Sequence, residues 1–143
     1  MGLFYDMDEI TSIKKIEEIR KKKIELSEQE SLLVFCRLTD FSHIKKIYDW
    51  FNLVIDEDLN QGTKMQVFIF IVKMLYAPTG LIGDKMPNKL RHSISEVSQK
   101  KGQIISQYSS DLMFYYENYK DFREMVNRVY NEIQFCINLY RFE

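Results

Sequence analysis

Hydrophobic residues recur at helical spacing along most of the chain. The first set consists of four isoleucines, each three residues after the last: Ile10, Ile13, Ile16 and Ile19. With Lys and Glu between them, they predict a charged helix over about residues 8–24 with a narrow apolar stripe. Ser27 and Glu30 have the spacing of a capping box, so a second helix is predicted to begin there and to continue through SLLVFCRL.

A third helix is predicted to follow Ser42, a residue type that commonly caps a helix N-terminus. Its apolar residues form a wide face: Ile44, Ile47, Trp50, Phe51 and Val54. The polar stretch 56–63 predicts a solvated acidic loop, because the spacing of its carboxylates does not fit an EF-hand.

The segment Lys64–Ala77 is apolar on almost every side, and two interpretations of it are open. The alternation of Val67, Ile69 and Ile71 fits a buried strand. The length of the segment and its helical neighbours favour a central helix capped by Thr63.

The second half begins with a connector, residues 78–88, marked by glycines and prolines. Asn88 is predicted to cap a helix through KLRHSISEVSQ, followed by a turn near residues 100–102, a helical stretch QIISQYSSDLMFYY and a long closing helix over about residues 120–140. The prediction is therefore an all-α helical bundle of about six or seven helices. It forms one domain, residues 1–143, with an N-terminal bundle (1–77), the connector (78–88) and a helix-turn-helix-like part (89–143).

The stretch LRHSISEVSQKKGQIISQYSSDL has the pattern of two short amphipathic helices joined by a basic turn. Its inward-facing residues are predicted to be Leu90, Ile94, Val97, Ile104, Ile105, Tyr108 and Leu112. The complementary face of the second helix is uncharged and consists of Gln103, Ser106, Gln107 and Ser110. Gln can pair with an adenine edge and Ser can bind bases or phosphates, so this face is a candidate for the major groove.

Charge is segregated toward this unit. The whole chain of 143 residues has a net charge of −1, so no global cationic field attracts nucleic acid. Between residues 85 and 110, however, Glu96 is the one acid, against five cationic residues: Lys85, Lys89, Arg91, Lys100 and Lys101. Such a patch attracts phosphates. The candidate phosphate contacts are Lys89, Arg91, Lys100 and Lys101.

The segment ISEVSQKKGQIISQY resembles the helix-turn-helix units of bacterial and phage DNA-binding proteins, over about a sixth of the chain. The resemblance implies a regulator or a DNA-packaging accessory of a phage or mobile element, acting on duplex DNA in a bacterial cytosol. The family usually has Gly in the turn, where this chain has Gln99 and Lys100, so a looser tri-helical variant is expected.

The competing hypothesis is an oligomeric structural or assembly protein, such as a ring or adaptor subunit of a virion. A C-terminal aromatic cluster fits packing on the last helix or on a second subunit: Phe114, Tyr115, Tyr116, Tyr119 and Phe122. A homo-oligomer is expected under either hypothesis, because paired reading helices also suit a helix-turn-helix protein.

Other chemistry has little support in the sequence. His43 and His92 are not near metal-ligand partners, and no nucleophile or phosphate-loop motif occurs, so neither an enzyme, nor a metal, nor a cofactor is predicted. Cys36 and Cys136 lie in apolar runs and are predicted to be buried, reduced thiols. No apolar run is long enough to span a membrane, and a cytoplasmic protein is expected.

Overall fold

A computed structural model describes residues 8–142, and every regular element in that range is a helix. The predicted all-α class is confirmed. The chain divides into two compact units, one ending at Phe35 and the other beginning at Cys36.

Within its described residues, 8–35, the first unit has one regular element, the helix α1, Glu9–Leu33. Asp8 caps its N-terminus, with the carboxylate accepting a hydrogen bond from the Thr11 amide at 2.6 Å. The predicted helix start at Ser27 is wrong, because α1 continues through it and the Glu30 carbonyl accepts from Val34 in the last turn. No Gly or Pro lies near Ser27, so nothing interrupts the backbone hydrogen bonds there.

No residue of α1 is buried. The exposed side chains include its large apolar residues: Ile10, Ile13, Ile16, Ile19, Ile24, Leu26, Leu32 and Leu33. Packing in this unit therefore leaves the predicted apolar stripe in contact with solvent.

The second unit contains six α-helices and two short 3₁₀ helices within residues 36–142. The α-helices are α2 (Ile44–Val54), α3 (Gln61–Tyr76), α4 (Asn88–Ser98), α5 (Gly102–Tyr108), α6 (Leu112–Asn118) and α7 (Lys120–Tyr140). The 3₁₀ helices are Phe41–His43 and Pro78–Leu81. The closing helix has the predicted bounds.

Helix α3 is the centre of this unit and packs against α2, α5 and α7. Residues 67–72 are all buried, so each side of the helix faces other side chains. The segment is therefore a helix and not a strand, and its apolar residues on every side are explained by the helices packed around it. One buried cluster joins residues from both halves of the unit, from Leu38 to Ile137.

Asx side chains supply the observed caps. The predicted cap at Ser42 is wrong, because Ser42 lies within the 3₁₀ helix Phe41–His43 and the N-cap of α2 is His43. Asp40 caps the 3₁₀ helix, and its carboxylate accepts a hydrogen bond from the Ser42 amide at 2.9 Å. Asn60 accepts from the Thr63 amide at 2.7 Å, so α3 begins before the predicted cap. Asn88 is the first residue of α4 rather than its cap, because Pro87, with φ −56° and ψ 140°, occupies the N-cap position.

Two further predictions are corrected. The stretch 103–116 is not one helix, since residues 109–111 separate α5 from α6 and Asp111 has a left-handed φ of 60°. Cys36 is exposed rather than buried, because it precedes the first buried residue of the unit, Leu38. Cys136 is half-buried, and both are free thiols.

Candidate nucleic-acid interface and an adjoining cavity

Helices α4 and α5 form the helix-turn-helix-like unit, and the turn between them is short. Helix α4 ends at Ser98 and α5 begins at Gly102. Gln99 adopts the left-handed conformation, with φ 57° and ψ 33°, that usually favours Gly. The Ser95 hydroxyl donates to the Lys100 carbonyl and so ties the turn back to α4.

The inner faces of both helices pack into the core. Leu90 and Ile94 of α4 and Ile105 of α5 are fully buried, as is Leu112 at the start of α6. The other residues predicted to face inward are half-buried: Val97, Ile104 and Tyr108. The core therefore fixes which faces of α4 and α5 point outward.

Most of the residues predicted to contact DNA have exposed side chains. Six of the eight are exposed: Lys89, Lys101, Gln103, Ser106, Gln107 and Ser110. Lys100 and Arg91 are half-buried. Ser110 lies outside α5, in the following turn, where its hydroxyl donates to the Gln107 carbonyl at 3.0 Å.

Arg91 connects the two helices. Its guanidinium donates to the Ser106 hydroxyl at 3.3 Å and to the Asn88 side-chain oxygen at 3.4 Å. Neither partner is charged, so within residues 8–142 the Arg91 charge has no carboxylate to neutralise it. The structure thus brings together one predicted phosphate-binding residue and one predicted groove-facing residue.

The acid in the basic segment is already paired. Glu96 lies 2.7 Å from His92 Nε2 on the exposed face of α4. Helix α5 itself has no acidic residue, so its outward surface offers amides and hydroxyls without a negative charge.

A buried lysine is the residue that sequence reasoning missed. Lys73 of α3 is 4% exposed, and its ammonium donates to the carbonyls of Gly80 at 3.0 Å and Ser109 at 3.2 Å. Burial lowers the pKa of this amine below its ordinary value, because desolvation disfavours the charged form. The signal in the sequence was a single lysine within FIFIVKMLY.

Lys73 lies on the wall of a cavity of about 460 Å³. The cavity is bounded by the loop after α3, by α4 and by the junction of α5 and α6. Arg91, Ser106 and Ser110 of the predicted contact set also line it. The candidate interface therefore adjoins a concave site rather than a flat surface.

The aromatic cluster packs largely within the unit. The rings of Tyr116 and Phe70 stack with centroids 5.2 Å apart, and the Tyr116 hydroxyl donates to Asn127 of α7 at 2.7 Å. Phe114 and Tyr119 remain exposed, each at 54%. Tyr116 therefore packs within the unit, against α3 and α7, whereas Phe114 and Tyr119 face solvent.

Within residues 8–142, no cluster of three His, Cys, Asp or Glu side chains could hold a metal ion. The described helices include none that is long and apolar enough to cross a membrane. Comparisons with protein-family models, curated proteins and solved structures gave no match.

Proposed function

We propose that the protein is a non-enzymatic DNA-binding protein that contacts duplex DNA through α4 and α5. The observation that supports this function is the exposed, acid-free face of α5, made of Gln103, Ser106 and Gln107. Amide and hydroxyl groups on such a face can hydrogen-bond to base edges in a major groove. The role that follows is that of a regulator or DNA-packaging accessory.

The surrounding cations bind the DNA backbone and not the bases. Lys89, Lys100 and Lys101 neutralise backbone phosphates, which provides affinity without sequence selection. Arg91 donates to Ser106, so it holds that hydroxyl in a fixed position while its own charge attracts phosphate. Ser110, outside α5, contributes a phosphate contact rather than a base contact.

Salt dependence is the direct test. Binding of a mixed-sequence duplex is measured by fluorescence anisotropy as salt is raised, for the natural chain and for Lys100→Glu/Lys101→Glu. We expect the slope of log affinity against log salt to become shallower by about two, since each lost phosphate contact removes about one. Lys14→Glu/Lys15→Glu, with the same charge change on exposed positions of α1, is the matched control and should keep the original slope.

Two results would oppose the proposal. One is the absence of binding by the natural chain at low salt. The other is an equal loss of affinity in both double variants, which would indicate attraction to total charge rather than to the turn between α4 and α5.

The second candidate function is an oligomeric structural or assembly protein, such as a virion ring or adaptor subunit. It is favoured by α1, whose apolar side chains are exposed, because a homo-oligomer contact would cover them. Mass photometry should then show a discrete assembly that dissociates in Ile13→Gln/Ile16→Gln and persists in Lys14→Gln/Lys15→Gln. A natural chain that is monomeric at micromolar concentration excludes this candidate.

A further inference from the structure

The cavity beside α4 and α5 contains an unusual set of charges. Three cations line it, Lys73, Lys85 and Arg91, together with two acids, Asp84 and Asp111. None of these five side chains forms an ion pair within the part of the chain that the structure describes. The cations are therefore available to an anion from solution.

Lys73 has unused hydrogen-bonding capacity at this site. An ammonium group has three N–H donors, and the carbonyls of Gly80 and Ser109 accept from two of them. A buried cation without a counter-ion is costly, and a bound anion removes that cost. The two carbonyls also hold the amine in place, so a ligand need not order it.

Besides the charged residues and Ser106, Ser109 and Ser110, the wall has an apolar part. It includes Leu81, Met86, Leu112, Met113 and Phe114. A cavity lined by both cations and apolar side chains is suited to a ligand that has both characters.

We propose that this cavity binds a phosphate monoester of a small apolar or aromatic alcohol. With Asp84 and Asp111 the lining has a formal net charge of +1, so the anion is selected by hydrogen bonds as well as by charge. A phosphate monoester carries close to two negative charges at neutral pH and has three terminal oxygens, so it can accept from Lys73 and Arg91 at once. Lys73 and Arg91 bind the phosphate, and Met113 and Phe114 contact the organic group. The site shares Arg91 with the proposed DNA-contact set, whereas Lys73, Lys85, Met113 and Phe114 lie outside that set.

Methionine methyl groups give a local readout. Met86 and Met113 line the cavity, whereas Met65, Met74 and Met125 do not. With ¹³C-methyl-methionine protein and phenyl phosphate as the probe, we expect NMR shifts of Met86 and Met113 that saturate, and unchanged signals from Met65, Met74 and Met125. Inorganic phosphate and benzyl alcohol, each with half of the ligand's chemistry, should bind at least about tenfold more weakly.

The charge of Lys73 is tested by Lys73→Gln, which keeps a donor for the carbonyls. Losing a charge-assisted hydrogen bond should weaken phenyl phosphate binding about tenfold or more. Lys64→Gln, on the same helix and outside the cavity, should bind as the natural chain does. If circular dichroism shows Lys73→Gln to be unfolded, Lys85→Gln at an exposed position replaces it, with an expected loss of about threefold.

Several outcomes would overturn the proposal: unchanged Met86 and Met113 signals, equal binding of benzyl alcohol, or undiminished affinity in the folded cavity variant. The experiment contains no DNA, and Lys100→Glu/Lys101→Glu should still bind phenyl phosphate. Failure of this site is therefore distinguishable from failure of the DNA-binding proposal.

Discussion

The Nζ atom of Lys73 lies 3.2 Å from the carbonyl oxygen of Ser109, a residue 36 positions later in the chain. Ser109 is the C-cap of α5, where carbonyl groups lack helical partners. A cation at a helix C-terminus also interacts favourably with the helix dipole. The central helix thus supports the end of the proposed reading helix directly.

Replacing Lys73 by methionine should destabilise the second unit. Met keeps the length of the side chain but leaves the Gly80 and Ser109 carbonyls without their donor. We expect the free energy of unfolding to fall by about 1–3 kcal/mol, measured in urea. Lys64→Met on the same helix should change it by less than about 0.5 kcal/mol. Equal values for the two variants would contradict a stabilising role for these hydrogen bonds.

Tyr76 should make the fold sensitive to alkaline pH. Its hydroxyl donates to the Asp40 carbonyl at 2.7 Å, and burial, followed by the charge of Asp40, raises its pKa. Because the folded-state pKa is raised, the Tyr76 phenol stabilises the fold fully at pH values below its ordinary pKa of 10.0. This contribution to the free energy of unfolding is lost as the pH rises further. Tyr76→Phe should cost about 1 kcal/mol at neutral pH.

Above pH 10 the natural chain should lose up to about 1.4 kcal/mol per pH unit more than Tyr76→Phe does. Urea unfolding between neutral pH and pH 11 measures this difference. Tyr119→Phe, at an exposed position, is the control and should follow the natural chain. Parallel pH profiles for all three proteins would show that the Tyr76 phenol does not ionise on unfolding.

Gln99→Gly should stabilise the turn between α4 and α5. Gln99 has φ 57°, where a side chain is strained and glycine is not. We expect a gain of about 0.5–1 kcal/mol in the free energy of unfolding, seen as a higher Tm. Gln103→Gly, in the first turn of α5, should instead lower the Tm. A lower Tm for Gln99→Gly would contradict backbone strain at Gln99.

The two thiols should differ in reactivity. Cys36 is exposed and Cys136 is half-buried. In the native protein, Ellman's reagent should therefore modify Cys36 first, and Cys36→Ser should retain only the slow phase. In denaturant the two thiols should react at the same rate. Faster reaction of the native Cys136 would contradict the packing of α7.

The sequence predicted the features that depend on long apolar periodicity. The closing helix and the inward faces of α4 and α5 follow from three- and four-residue spacing. Caps were predicted less well, because Ser42, Thr63 and neighbouring Asp or Asn residues all have the necessary chemistry. Only the backbone conformation determines which of these residues caps the helix.

The candidate site could be predicted only in part, for a similar reason. The exposure of Gln103 and Gln107 follows from the helical period of α5. The Lys73 contact does not, since it joins residues far apart in sequence through the packing of α3 against α5. The break at residues 109–111 was also not predicted, because apolar spacing does not reveal the left-handed backbone of Asp111 at the start of α6.

The lack of any buried residue in α1 has a consequence for thermal unfolding. A helix with no buried residue depends on its own helix propensities and on the spacing of opposite charges along it, such as Glu17 and Lys21 four residues apart in sequence. Helicity of that kind declines gradually with temperature, whereas a packed core unfolds in one cooperative step. Heating should therefore produce two signals in circular dichroism: an early, sloping loss from α1 and a later, sharp transition from residues 36–142.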